Sequence, residues 1–342
     1  MSMIPKIKIA GAGISGLSAS IFLAMENFHV QVYEARPTIG SFFSNDIHSL
    51  RNYLYDEDIL SQYNEFGLSI SPAYPIYNQI RFAPNLKKIK IYSNHEPLFY
   101  NFFRGNVNVN SLDRHLYSLA LSKKVKFYFN SPIKNNDADI IATGSPKTMV
   151  SGYGWHYQNV KNLEPHTNYI FWDNNYAPGG YIYIVPYGDE ASVAIVAFNK
   201  KETLNLEKKF NALIKNHTII KNLLDGAKPK NMISGFACYG DSALLRKNNL
   251  KIGEAGGFLD AATGFGVHYA ILSGYMAAKI IAKKDVCVLK KKVSAELKKQ
   301  YAKRIRIEKM NNNDYNNIIN DLSHKFRGGI PAEEYRAIHE NK

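Results

Sequence analysis

Six residues near the start of the chain, Gly11-Ala12-Gly13-Ile14-Ser15-Gly16, fit G-x-G-x-x-G. The chemistry this spacing serves is the binding of a pyrophosphate. The first glycine permits a tight turn, the second lets the backbone approach the phosphates, and the third lets a helix pack closely on a strand. The phosphates would then sit at the N-terminus of a helix, where unpaired N–H groups and the helix dipole favour negative charge. Glu34 lies 18 positions beyond Gly16, about where an acidic side chain takes the hydroxyls of a ribose. An acid there disfavours a 2′-phosphate and so NADP, but the motif does not choose between NAD and FAD.

A second glycine-rich stretch lies far downstream. Residues 251–267 (KIGEAGGFLDAATGFGV) read as the end of a strand, an acid at Glu254, and a loop containing Gly264, Phe265 and Gly266 that runs into a helix at Val267. Other chemistries find little support. There is no C-x-x-C, no H-E-x-x-H and no G-x-S-x-G, and 144–148 (GSPKT) lacks the glycine that a phosphate loop places before its lysine. Two cysteines, Cys238 and Cys287, make neither a disulfide framework nor a cysteine-rich zinc site. No metal is expected, and a reducing, cytoplasmic setting is.

The elements that must hold these motifs follow from periodicity. KIKIA at 6–10 is a strand, 14–26 a helix, and HVQVYE at 29–34 a second strand, together a β-α-β unit. Residues 45–75 look irregular, with a short helix at 56–66. Strands are expected within 79–103, a helix at 111–121, and strands at 125–129 and 138–142. Residues 153–198 read as an antiparallel sheet with strands at 169–172, 181–185 and 192–198, followed by a helix at 203–217 and strands at 233–239 and 250–252. A helix at 267–283 leads into a polar, helical end.

Of 342 residues, 45% are hydrophobic and 21% charged, an ordinary globular composition with length for about two domains. The net charge is +14, and residues 279–309 hold twelve Lys/Arg against three Asp/Glu. Within them Val293, Leu297, Tyr301 and Ile305 recur every four residues, which predicts an apolar stripe on a lysine-rich helix packed on the body of the protein. The charge also permits contact with anionic lipid headgroups at a membrane periphery. Nucleic acid is a weaker partner, because no reader motif accompanies the patch. No secretory signal or membrane-spanning segment is expected.

Taken together, the two glycine motifs resemble the FAD-dependent oxidoreductases of the geranylgeranyl reductase and aromatic hydroxylase superfamily. The stretch 34–40 (EARPTIG), the segment Leu112-Asp113-Arg114 ahead of a helix, 138–144 (ADIIATG) and 178–186 (PGGYIYIVP) resemble further family segments. The departures are Glu254 for the usual Asp, Ala261 for Pro, and Tyr183 and Val185 for Trp and Phe.

The resemblance implies an α/β fold: a Rossmann-like FAD-binding domain of the glutathione-reductase type with an inserted antiparallel substrate sheet and a helical C-terminal tail. It assigns 1–75, 101–150 and 240–285 to a discontinuous FAD-binding domain, 76–100 and 151–239 to the sheet, and 286–342 to the basic tail. It implies FAD contacts from Gly11, Gly13, Ile14, Ser15, Gly16, Glu34, Ala35, Arg36, Arg114, Thr143, Gly144, Gly253, Glu254, Gly264, Phe265, Gly266 and Val267. The helix start at Gly266 and Val267 would stabilise the negative charge that a flavin gains on reduction.

The implied activity is hydride transfer from reduced flavin N5 to a carbon–carbon double bond of a small apolar, isoprenoid-like substrate, with the electron donor unassigned. Tyr181 and Tyr183, on one face of a strand, and His268, just after the glycine turn, are the catalytic candidates; His48 and His156 are further proton donors to consider. Two alternatives stand beside this reading: a monooxygenase or halogenase of the same superfamily, and a non-enzymatic carrier of a nucleotide or prenyl group. The halogenases' paired tryptophans are absent, with Tyr181 and Tyr183 in that stretch.

Overall fold

The computed structural model describes residues 5–55, 57–198, 205–240 and 250–340. Strand Lys6–Ala10 alternates exposed and buried positions before it runs into the glycine turn, and it pairs in parallel with His29–Tyr33 through helix Ile14–Met25. Around this unit grows a five-stranded sheet in the order Leu250–Lys251, Ile140–Ile141, Lys6–Ala10, His29–Tyr33, Lys126–Tyr128, parallel throughout. The order places the strand before each glycine-rich turn near the sheet centre or edge on the same side, so both turns open at the carboxyl ends of strands. Binding sites of open parallel sheets lie at such ends.

Helix Val267–Ile281, which follows the second turn, packs directly on helix Ile14–Met25, which follows the first. Gly274 makes that approach possible: a Cβ there would lie 2.8 Å from Ala19 N and 2.9 Å from Ser15 O. Buried Leu17, Ile21, Ile271 and Met276 join the core under this pair.

A second layer is an eight-stranded sheet with its own core of Phe171, Ile182, Ile184, Val193, Ile195 and Phe210. It was expected to be antiparallel. Most pairings are, but Thr167–Phe171 runs parallel to Asn78–Phe82, and Ile330–Pro331 runs parallel to Lys88–Tyr92.

Three further expectations need correction. Residues 45–75 are not irregular at their start: Ser44–Arg51 is a strand, paired antiparallel with Phe99–Gly105 in a three-stranded sheet completed by Tyr74–Ile76. A bulge between Ser44 and Ile47, with Asn45 at φ 71°, interrupts the alternation by which a strand is recognised. The helix expected at 203–217 is Leu206–Asn216, followed after His217 by a second helix, Thr218–Leu223; positions 203 and 204 lie outside the described residues, as do 241–249.

The third correction concerns the basic helix Cys287–Ile307. Its buried residues are Val293, Leu297, Gln300 and Arg304, whereas Ile305 is exposed. A repeat of four residues advances about 400° per step and drifts around the helix, while spacings of 4, 3 and 4 return to the same face. The C-terminal helices are not a free appendage. Tyr335 of helix Ala332–Glu340 is buried against Tyr53, and Arg336 donates to the carbonyls of Tyr53 and Tyr55. No helix among the described residues is long and apolar enough to cross a membrane.

Candidate functional site

The two glycine turns meet. Gly253, at φ 57°, lies so close to the first motif that a Cβ would fall 2.5 Å from Ser15 Oγ. Its N–H donates to Ser273 Oγ at 2.9 Å, which ties the second turn to the helix that follows it. From this junction a cavity of about 620 Å³ extends between the parallel sheet and the eight-stranded sheet.

At one end the cavity is a dinucleotide cradle. Gly11, at φ 101°, donates to Tyr33 O at 2.7 Å, and a Cβ on it would strike Ala142 O at 2.5 Å. Gly16 is tighter: a Cβ there would fall 2.0 Å from Gly11 O. Gly13 is the opposite case, with nothing within 4 Å of where its Cβ would stand. It begins helix Ile14–Met25 without a side-chain cap, so that end of the helix is open to the cavity. A phosphate group satisfies such N–H groups without further help.

Glu34 is held in place by two backbone N–H groups: Oε2 accepts from Ala12 N at 2.7 Å and Oε1 from Arg36 N at 2.9 Å. Each oxygen keeps a second lone pair for a hydroxyl donor. Arg36 stands at the rim beneath the Phe42 ring, which makes an edge contact with Phe236 at 5.1 Å across the mouth. Thr143 and Gly144 form the neighbouring wall.

Further in, Glu254 lines the cavity and accepts from Cys238 N at 3.2 Å. Burial raises its carboxyl above the ordinary value, against the opposing pull of that N–H and of Arg104. The loop 260–266 is shaped by Asp260, whose Oδ1 accepts from Ala262 N and Thr263 N, while Gly264 N returns to its carbonyl. The loop ends at Gly266, which starts helix Val267–Ile281 without a side-chain cap. Gly264, Phe265, Gly266 and Val267 all face the cavity. Opposite them stand Tyr181, which donates to Thr263 O at 2.6 Å, and Tyr183, whose hydroxyl has no partner among the described residues. Burial pushes both phenols up.

Of the expected contacts, the structure gathers Gly11, Gly13, Ile14, Ser15, Glu34, Ala35, Arg36, Thr143, Gly144, Gly253, Glu254, Gly264, Phe265, Gly266 and Val267 around one cavity, with Tyr181 and Tyr183. Two others are elsewhere. Gly16 lies behind the wall and serves the packing of helix on strand. Arg114 is exposed, outside the cavity, and donates to Asn106 O. The arginine in the wall is Arg104, in a two-point pair with buried Asp113 at 2.8 and 3.1 Å. The helix starting at Leu112 turns position 113 inward and 114 outward, because neighbours on a helix point about 100° apart.

His268 also faces away from the main cavity. Its Nδ1 pairs with Tyr63 Oη at 2.7 Å in the protein interior, and burial, helped by Arg51 and Lys292, depresses its pKa to about 3. A ring kept neutral and engaged there is no proton donor to this cavity. His156 is likewise buried and paired with Glu190, outside the cavity wall. Of the histidines considered, His48 alone lines it.

Two groups in the wall escaped sequence reasoning: Asp46, on the bulge, and the polar set Ser49, Gln79 and Asn168. Neither carries a local motif. Among the described residues no cluster of His, Cys, Asp and Glu could hold a metal ion.

Residues 9–57 match the model of a family described as an NAD(P)-binding Rossmann-like domain. The chain is 28% identical over 153 residues to a digeranylgeranylglycerophospholipid reductase of Methanocaldococcus jannaschii, a match covering 43% of this chain and 37% of that protein. The match therefore spans little more than a third of that relative. Among solved structures, a geranylgeranyl bacteriochlorophyll reductase-like protein of Thermoplasma acidophilum superposes with a TM-score of 0.73 at 18% identity, over 97% of this chain and 94% of the other. The p-nitrophenol 4-monooxygenase PnpA of Pseudomonas putida superposes with a TM-score of 0.66 at 12% identity, over 100% and 98%. Two glycine turns joined across one cavity beneath a large sheet are thus set in the fold of that reductase-like protein and of PnpA.

Proposed function

We propose that this protein is an FAD-dependent oxidoreductase resembling geranylgeranyl reductases, acting on a carbon–carbon double bond of an apolar, isoprenoid-like substrate. The observation that carries the reading is the junction of Gly253 with Ser15, which makes one continuous cavity of the Glu34 end and the Gly266 end. FAD, when bound, supplies hydride transfer from N5 of its reduced ring.

The chain's own residues do the rest. Gly11, Gly13 and the open N-terminus at Ile14 and Ser15 receive the pyrophosphate, and Glu34 takes the ribose. Glu254 and Arg104 flank the polar chain of the cofactor. The helix start at Gly266 and Val267 presents N–H groups and a positive dipole end, which favour added electron density. Phe42 and Phe236 shield the mouth, while Tyr181, Tyr183, Val185 and Ile170 wall the side facing the sheet. Tyr183, with an unengaged hydroxyl, is the best-placed proton donor.

The test is the visible absorption spectrum of the purified protein, followed by release and identification of any bound cofactor. A yellow protein that yields FAD supports the reading and opens an anaerobic search for donor and acceptor. A colourless protein that does not take up added FAD overturns it. A second reading, a flavin monooxygenase, is favoured by the end-to-end superposition on PnpA. Substrate-stimulated oxygen consumption by the reduced protein would select it.

A further inference from the structure

The wall of the cavity contains a buried carboxylate that the described residues engage only in part. Asp46 is 95% buried, yet its Oδ1 has no hydrogen-bond partner among the described residues. The chain takes trouble to place it there. Asn45 adopts a left-handed conformation, the strand bulges between Ser44 and Ile47, and Ile47 N is held by Ser192 Oγ at 2.8 Å on the facing sheet.

The neighbours leave one of its oxygens free. Arg104 is engaged by both oxygens of Asp113 and turns its remaining amino group to His48 Nδ1 at 3.5 Å. His48 Nε2 lies 3.6 Å from Asp46 Oδ2, within ion-pair range but beyond a hydrogen bond, and Oδ1 has no such neighbour. A buried carboxylate left in this condition is costly unless it acts on something that fills the cavity.

What fills this part of the cavity is set by the other wall. Ile47, beside Asp46, packs with Tyr183 and Val185. The negative charge of Asp46 also adds to the upward push on the Tyr183 phenol. Tyr183 in turn neighbours Tyr181, which holds the loop leading to Gly266. Through Tyr183 and Tyr181, Asp46 is connected along the cavity wall to the loop that leads to Gly266, and its charge acts against the effect of that helix start.

We propose that Asp46 is a positioning charge that makes the bound flavin more strongly reducing, by disfavouring the electron-rich reduced ring relative to the oxidised one. This rests on the proposed function. A helix start alone would hold reduced FAD firmly and blunt its hydride transfer; a fixed negative charge on the other wall restores the driving force.

The test is a reductive titration of the FAD-loaded full chain against a redox dye, for wild type, Asp46→Asn and Asp46→Glu, with FAD affinity measured alongside. Asp46→Asn keeps the shape and removes the charge. It should favour reduced over oxidised FAD by about tenfold relative to wild type, an upward shift of about 30 mV for a two-electron couple. Asp46→Glu, which keeps the charge, should stay close to wild type. Should Asp46→Asn not fold, Asp46→Ser carries the same expectation. An Asn or Ser variant within twofold of wild type, or shifted downward, overturns the proposal, as does a Glu variant that shifts as far as the Asn variant. A folded Asn variant that no longer takes up FAD at all would make Asp46 a binding residue and also overturn it. Failure of wild type itself to bind FAD overturns the proposed function first, and this inference with it.

Discussion

Arg51 and Asp260, 209 residues apart, form a buried ion pair: Nη1 lies 3.1 Å from Oδ2, with the Asp260 side chain wholly inaccessible. A second arm of the guanidinium reaches Thr263 Oγ1 at 2.7 Å, and its plane lies 4.6 Å from the Phe265 ring centre. One residue of the three-stranded sheet therefore holds three residues of the loop that faces the cavity.

Cutting this pair on one side leaves the other charge stranded. Asp260→Ala should lower stability by about 3–5 kcal/mol, since removing one partner of a buried pair costs that much. It should also loosen the 260–266 loop, whose N–H groups lose their acceptor. Arg51→Met with Asp260→Leu should be much milder than either single change. Urea unfolding of Arg51→Met, Asp260→Leu and the double variant decides it: a double variant that loses the sum of the two single losses would mean that the pair contributes nothing as a pair.

The glycines of the first motif should separate by readout. Gly16→Ala places a methyl 2.0 Å from a backbone oxygen and should cost about 1–3 kcal/mol of stability through overpacking. Gly13→Ala meets no protein atom, so it should melt like wild type while weakening FAD binding at least tenfold. Thermal melts and FAD titration, run side by side, test both; a Gly13→Ala protein with unchanged FAD affinity would contradict the cradle.

The two arginines should also part. Arg104→Met strands the carboxylate of Asp113, so it should both destabilise the fold and weaken FAD binding. Arg114→Met should leave both within error of wild type. Loss of FAD affinity in the Arg114 variant, with Arg104→Met unaffected, would reverse the assignment.

His268 should make stability depend on pH. Its folded pKa is near 3, below the ordinary value of 6.5, so above about pH 6.5 the ring is neutral in both folded and unfolded chains and no pH dependence arises. As pH falls below 6.5 the unfolded chain takes up a proton that the native chain refuses, and stability drops by about 1.4 kcal/mol per pH unit until pH approaches 3. His268→Gln should remove that part of the slope, so the gap between the two stability curves changes between pH 6.5 and 3. Curves that stay parallel through this window would show that His268 is not held neutral.

The cradle was legible because its instructions are local. A pyrophosphate turn needs glycines at fixed spacing between a strand and a helix, and the strand, turn, helix and acid at Glu34 fall within about thirty consecutive residues. The second motif was legible for the same reason, through a strand end and a glycine loop entering a helix. The inward and outward faces of helices were less so: Arg114 points to solvent beside buried Asp113, and the four-residue stripe to Ile305 missed buried Arg304.

By itself, then, the sequence determined the α/β fold, the β-α-β start, the two glycine turns and the tyrosines of the sheet, because each follows from dihedral freedom or periodicity within a short window. Only the tertiary structure decided that Gly253 abuts Ser15, that Arg51 reaches Asp260, that His268 is shut away with Tyr63, and that a bulge sets Asp46 in the cavity wall with Oδ1 unpartnered. Those outcomes depend on how strands from distant segments register and on which side chains their packing removes from water. No local pattern encodes them, since a buried pair and an exposed pair read alike until the rest of the chain closes over them.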